Sequence, residues 1–262
     1  MKKISILLFA WICAMSNMAR GQNFVFENLG IPISEKDSIQ IVDMIRYQMD
    51  FYNRISPIDF AHVKLKIFDD STEYAAVRRN STLSETFKIG AISGFFSPRD
   101  SIAYVFYIPQ KRSEHLPLIY HEIAHYFTHL TISRTYQPRW LNEGLSRYFQ
   151  HSETTKKKGI VHNLNSNTRG RIRTMVKLKQ IDLKNVMSSN FNNFTKKEMT
   201  NENFTYIVAH GMVYFLIERD FEQFKAMMLE IKNGKSSFDA INITYPGGFI
   251  QFENDFMTYF GK

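Results

Sequence analysis

Hydrophobic and polar positions alternate with two different periods along the first hundred residues of this chain. Apolar residues recur every three to four positions over residues 41–52, behind Ser34 and Asp37, which predicts one long helix with a capped amino terminus. Every second residue is apolar over 62–68, and residues 101–108 are rich in aromatic and β-branched side chains, which predicts two strands. A small sheet that packs against at least one helix is the expected result.

The remaining segments are predicted from the same patterns. Residues 87–96 are apolar but contain Gly90 and Gly94, so they indicate an edge strand or one that another backbone approaches closely. Pro117 suits the first turn of a helix that continues over 118–130. Further helices are predicted over 140–150, 169–179, 203–218, 221–232, 236–243 and 248–260. We therefore expect an α+β fold, with a small mixed sheet in an amino-terminal lobe (about 22–131) and a helical carboxy-terminal lobe (about 132–262).

The first 21 residues have the pattern of an export signal. Lys2 and Lys3 precede an apolar run, and small residues Ala19 and Gly21 stand just before Gln22. The run is about a dozen residues long, short of the ~20 that a spanning helix needs. We expect cleavage after residue 21, an exported (periplasmic or secreted) protein, and no transmembrane segment in the mature chain. The single cysteine of the sequence lies in this signal, so disulfides and thiolate chemistry are not expected afterwards.

The positive charge of the chain does not predict a nucleic-acid partner. Loss of the signal would remove three basic residues and no acidic one, which lowers the formal net charge from +8 to +5. The basic residues between 169 and 179 alternate with apolar ones, as on the solvated face of an amphipathic helix. No nucleic-acid recognition motif accompanies them, so no nucleic acid is expected to bind.

Candidate metal chemistry is concentrated in His121-Glu122-Ile123-Ala124-His125. On a helix the two histidines lie one turn apart on one face, so both imidazoles can reach one ion. Eighteen positions after His125, Glu143 follows within Trp-Leu-Asn-Glu-Gly. A hydrolytic zinc site needs three protein ligands and an open fourth position. The sequence therefore predicts one Zn2+ per chain, held by His121, His125 and Glu143.

Glu122 is the predicted catalytic residue. It lies beside the ligands but too far round the helix to join them comfortably, so it is placed to act as general base on a metal-activated water and then as acid. A third histidine ligand six residues after His125 is excluded, because Thr131 stands there. His129 continues the same helix face, but three ligands in a row along one helix cannot converge tetrahedrally, so we expect it to pack nearby.

Together these residues resemble the gluzincin metallopeptidases, particularly the aminopeptidase N-like branch. The resemblance covers about residues 118–218 and implies a zincin-like fold. It also implies a helix that carries a catalytic tyrosine. Tyr206 matches this tyrosine by position, and the run Gly211-Met-Val-Tyr-Phe-Leu-Ile-Glu218 is similar to the rest of that helix. In the family such a tyrosine donates to the oxyanion of the tetrahedral intermediate. His210, one turn later, is the alternative for that role.

The chain also departs from that branch. The segment upstream of the histidines that holds a substrate's free amino terminus carries a glutamate in the family, whereas residues 90–94 here contain no acid. The chain is therefore more similar to compact, peptidase MA-like gluzincins, and we expect a zinc metallopeptidase that acts on a peptide or protein. Whether it is an endo- or exopeptidase, and its oligomeric state, are left open. The alternative is a non-catalytic module of the same fold that binds a polypeptide or glycan.

Overall fold

The computed structural model describes residues 23–80, 94–108, 111–132, 137–155, 159–189, 194 and 204–262. The predicted export signal and residues 87–93 of the predicted edge strand lie outside the described residues. Within these ranges, no helix is both long enough and apolar enough to cross a membrane.

The first half of the chain forms a mixed four-stranded sheet with three helices. Its elements are β1 (Phe24–Asn28), α1 (Glu35–Ile55), β2 (Ala61–Phe68), α2 (Ser71–Asn80), β3 (Gly94–Ser97), β4 (Ile102–Phe106) and α3 (Arg112–Thr131). The strand order is β1-β2-β4-β3; β1, β2 and β4 run parallel, and β3 runs antiparallel to β4. β3 therefore lies at an edge of the sheet, as the glycines predicted.

One face of this sheet carries the main core. The alternation in β2 buries Val63, Leu65 and Ile67 on a single face, as predicted, and α1 and α3 belong to the same core cluster. α1 begins at the Ser34 cap, whose Oγ accepts from the Asp37 backbone N–H. Buried Gln48 of α1 donates to the backbone carbonyl of Tyr120 at 2.9 Å, directly before His121. The sheet and α1 thus fix the helix that carries the histidines.

The second half is mainly helical. Its elements are α4 (Arg139–Gln150), β5 (Ser152–Thr155), β6 (Gly159–His162), α5 (Ser166–Lys177), α6 (Leu183–Ser188), α7 (Phe204–Arg219), α8 (Phe221–Lys232), α9 (Ser237–Thr244) and α10 (Gly248–Gly261). On α5, Ile172 and Met175 are buried while Arg173 and Lys177 are exposed on the solvated face, as predicted. The other two basic residues of this helix, Arg169 and Arg171, are half-buried. The α+β fold class predicted from the sequence is confirmed.

Some elements differ from the prediction. The β5–β6 hairpin was not expected, because Ser-Glu-Thr-Thr of β5 has no apolar residue and is a strand only through its pairing with β6. α2 was missed because it buries only Tyr74 and Arg78. α3 begins at Arg112, so Pro117 lies inside the helix rather than in its first turn. The proline therefore withholds one helical N–H donor without ending the helix.

Close packing of α4 on α7 explains two residues of the Trp-Leu-Asn-Glu-Gly segment. Trp140 is fully buried and its Nε1 donates to Ser237 Oγ at 2.9 Å. A Cβ on Gly144 would lie 2.6 Å from the backbone oxygen of Ala209 on α7, a contact that only glycine permits. These two contacts fix the position of α4. Glu143, which lies between Trp140 and Gly144 in the sequence, takes part in neither contact and belongs to the candidate site.

Candidate metal centre

Three donor groups converge between α3 and α4. The Nε2 atoms of His121 and His125 lie 3.1 Å apart. Glu143 Oε2 lies 3.4 Å from His121 Nε2, and Glu143 Oε1 lies 3.9 Å from His125 Nε2. The three ligand atoms all fall within 4.8 Å of one another, and among the described residues this is the one such cluster of histidine, cysteine and acidic side chains.

These distances fit a tetrahedrally bound ion. Two Zn–N bonds of ~2.0–2.1 Å at the tetrahedral angle place the two nitrogens about 3.3 Å apart, close to the distance between His121 and His125. Both histidines project from one face of α3, and Glu143 reaches them from α4. Two imidazoles and one carboxylate could therefore hold a metal ion together, as predicted from the sequence.

The second nitrogen of each imidazole is fixed by a polar row on α4. His121 Nδ1 lies 3.0 Å from Gln150 Oε1, and His125 Nδ1 lies 2.9 Å from both Asn142 Oδ1 and Ser146 Oγ. Since the amide oxygens only accept, each Nδ1 carries the proton and each Nε2 keeps its lone pair. The imidazoles are thus held in the tautomer that a metal requires.

The charges of the ligand set also suit a cation. Burial lowers the pKa of His125 to about 4, so this imidazole is neutral near pH 7. Burial alone would raise the pKa of Glu143, but the Arg139 guanidinium, with Nη2 2.8 Å from Oε1, holds it well below its usual range. The site therefore presents a neutral imidazole at His125 and a charged carboxylate at Glu143, the forms in which these residues bind metals.

Glu122 lies beside the ligands but takes no part in their cluster. It is 4% exposed, and burial raises its pKa to about 7. The backbone N–H of Phe96 in β3 donates to its carboxylate, while among the described residues Oε2 has no hydrogen-bond partner. A Cβ on Gly94 would lie 2.9 Å from Glu122 Oε1, so glycine at this position lets β3 approach the carboxylate. Such a carboxyl group can take up or release a proton near neutral pH.

The structure places the two candidates for the oxyanion donor differently. The hydroxyl of Tyr206 on α7 accepts from Arg139 Nη2 at 3.4 Å, and Arg139 in turn contacts Glu143. His210 is 1% exposed and stacks on His151, with ring centroids 5.1 Å apart. Tyr206 is therefore linked to the ligand cluster through one side chain, and its catalytic role stays a prediction.

Other nearby residues take supporting places. His129 lies outside the ligand cluster and packs edge-on against Phe96, as expected. A cleft of about 370 Å3 opens beside the cluster, lined by Gln150, His151, Glu114 and Glu153 among others. It adjoins the metal centre because Gln150 also bonds His121.

Sequence reasoning missed three residues of this centre. Ser146 and Gln150 complete a row with Asn142 at four-residue spacing on α4, the row that faces the histidines. Arg139 begins a second row with Glu143. The four-residue spacing of these side chains can be seen in the sequence. Only the packing of α4 on α3 shows which side of α4 faces the imidazoles.

Comparison with known proteins adds one match. Residues 115–236 match a family described as "Protein of unknown function (DUF1570)". This segment contains α4, α7 and α3 from residue 115 onward, and so includes the three candidate ligands and Glu122. The search of curated proteins found no match to the chain.

Proposed function

We propose that this chain is an exported, zinc-dependent metallopeptidase that hydrolyses peptide bonds in a peptide or protein substrate. The observation that carries the proposal is Glu122: a buried carboxyl group with one unbonded oxygen, beside a cluster that could hold a metal. Burying such a group is costly, and a purely structural ion site has no need of it. A hydrolase needs a proton acceptor at this place.

His121, His125 and Glu143 would hold the ion, and a bound zinc ion would supply Lewis acidity that activates a water molecule and polarises the scissile carbonyl. Glu122 would take the proton of the attacking water. Its pKa of about 7 also suits the later transfer of that proton to the leaving amine. Tyr206 would donate a hydrogen bond from its hydroxyl to the developing oxyanion, while Arg139 orients the hydroxyl by donating to its oxygen.

A substrate would lie along β3. This strand is the edge of the sheet next to α3, and its outer edge is unpaired among the described residues. An extended peptide can add to such an edge by main-chain hydrogen bonds. Gly94 of β3 lies so near Glu122 that a Cβ there would be 2.9 Å from its Oε1, so a peptide on this strand would pass close to the proposed general base.

The proposal is tested with purified mature protein and the variant Glu122→Gln. We expect about one zinc per chain in both proteins, because glutamine at 122 leaves the three ligands unchanged. Cleavage of a denatured-protein or peptide library should fall about 10²–10⁴-fold in the variant, since a positioned general base contributes that much. Amino-terminal sequencing of protein recovered outside the cytoplasm should begin at Gln22.

Two outcomes would contradict the proposal. Wild-type protein without zinc at a stoichiometric level would remove the metal centre. Zinc uptake without any cleavage that Glu122→Gln abolishes would favour the non-catalytic binding module instead. Asp50→Asn on α1, an exposed acid outside the site, is the matched control and should retain both zinc and cleavage.

A further inference from the structure

Glu143 lies between the Arg139 guanidinium and the two ligand imidazoles. Oε1 is 2.8 Å from Arg139 Nη2 and 3.9 Å from His125 Nε2, whereas Oε2 is 3.4 Å from His121 Nε2, on the side where an ion would be held. Only 4% of the Glu143 side chain is exposed, so water does not screen its charge effectively. One carboxylate is thus placed between a permanent guanidinium and the position of an exchangeable cation.

A buried carboxylate needs a counter-charge, and here two can serve. An isolated buried charge is strongly unfavourable, and removing one member of a buried ion pair leaves such a charge behind. If Arg139 and a metal ion both neutralise Glu143, then removing either one leaves the other to compensate the charge in part. Removing both leaves the buried charge uncompensated, so the two removals should have non-additive effects on stability.

The guanidinium also opposes the ion directly. Arg139 is always protonated, and like charges a few ångströms apart repel strongly in a poorly hydrated site. Its contact with Glu143 also engages a lone pair of Oε1, which is then not available to the ion. Both effects weaken metal binding, while the contact between Arg139 and Glu143 keeps the carboxylate in place without an ion.

We propose that Arg139 is the internal counter-ion of Glu143: a positioning residue that holds this ligand in place independently of the metal, at a cost in metal affinity. The inference rests on the metal centre of the proposed function and deepens it. It implies a preformed site with readily exchangeable zinc, rather than one that zinc binding must fold.

The experiment measures thermal unfolding with Zn2+ and with a chelator. Arg139→Met is compared with wild type, with Arg139→Lys, and with the double variant Arg139→Met/Glu143→Gln. Arg169→Met is the matched control, because Arg169 also donates to a tyrosine hydroxyl, Tyr259 at 3.1 Å, and stands over aromatic rings on another part of the protein.

We expect the chelator to lower the Tm of Arg139→Met by about 3–6 °C more than that of wild type, since it then removes the last counter-charge. Chelator competition should show that Arg139→Met binds Zn2+ at least about tenfold more tightly than wild type, because the same coupling appears in both measurements. Arg139→Lys should lie between the two. Arg169→Met should show the wild-type difference between zinc and chelator.

Weaker zinc binding by Arg139→Met, or an equal effect of the chelator on wild type and variant, would overturn the counter-ion role and leave the proposed function standing. If wild type takes up no zinc, the proposed function fails instead. The counter-ion role is then judged in chelator alone, where Arg139→Met must unfold at lower temperature than wild type and Glu143→Gln must reverse that loss. Should Arg139→Met not fold, the same reversal is sought as recovery of folded double variant.

Discussion

Two groups of half-buried or buried histidines lie close together in this protein, and among the described residues only one of them forms a candidate metal centre. In the first, the Nε2 atoms of His121 and His125 converge with a carboxylate. In the second group, formed by His151, His162 and His210, the rings stack on one another or on aromatic residues. Burial lowers the pKa in both groups, to about 4 for His125, His151 and His162 alike.

The difference shows that a neutral buried imidazole is not by itself a ligand. His151 and His210 lie with their rings nearly parallel, 10° apart, so they share a face rather than pointing their nitrogens at a common position. Both Nδ1 and Nε2 of His162 are engaged, by Ser152 and Tyr47. Converging lone pairs and an anion are what the first group has and the second lacks.

Removing one histidine from each group should give the largest difference in zinc binding between the two groups. We expect His121→Asn to weaken zinc binding at least about a thousandfold, since loss of a direct ligand exceeds the 10–100-fold cost of losing a supporting residue. His210→Asn should change it less than about threefold. Chelator competition measures both, and thermal unfolding checks that both variants are folded. Equal losses in the two variants would mean that the second group also serves the metal.

A smaller effect is expected from the polar row on α4 that the second group lacks. Gln150→Ala frees His121 Nδ1 of its acceptor and should weaken zinc binding about 10–100-fold, because the imidazole then loses its fixed orientation and tautomer. Gln180→Ala, an exposed glutamine after α5, is the control and should bind zinc like wild type. Unchanged affinity in Gln150→Ala would show that packing alone orients His121.

The sequence was sufficient for the ligands because they are set by local rules. Two histidines four residues apart on a helix must share a face, so α3 with His121 and His125 could be predicted before any packing was known. Glu143 was recognised from its place eighteen positions after His125 together with the Trp-Leu-Asn-Glu-Gly segment around it. The main helices and the β2 and β4 strands followed from their apolar periods in the same way.

What could not be predicted depends on contacts between distant segments. Arg139, Ser146 and Gln150 are ordinary helix residues until α4 lies antiparallel to α3, with Gln150 near His121 and Asn142 near His125. The β5–β6 hairpin and the stacking of His162 on Tyr148 likewise come only with tertiary structure, since no apolar pattern marks β5. Local periodicity is enough to predict the helices, whereas long-range packing determines which polar side chains come into contact.

The smallest predicted effect is a change in stability with pH that comes from the second group. The pKa of His162 falls from its ordinary 6.5 to about 4 because of burial, so the folded protein binds fewer protons than the unfolded chain between these values. Its contribution to the free energy of unfolding is complete above pH 6.5 and is lost as the pH falls toward 4.

Chemical denaturation in chelator should therefore show stability decreasing from pH 7 to pH 5, and His162→Gln should reduce that decrease by about 1–2 kcal/mol. Glutamine can still bond Tyr47 and Ser152 but does not titrate, which makes the slope with pH, rather than the stability at pH 7, the informative quantity. The comparison of His162→Gln with wild type in chelator isolates His162 from His125, whose pKa of about 4 contributes equally in both proteins. A slope unchanged by His162→Gln would place the acid sensitivity at the other histidines whose pKa burial lowers, His125, His151 and His210.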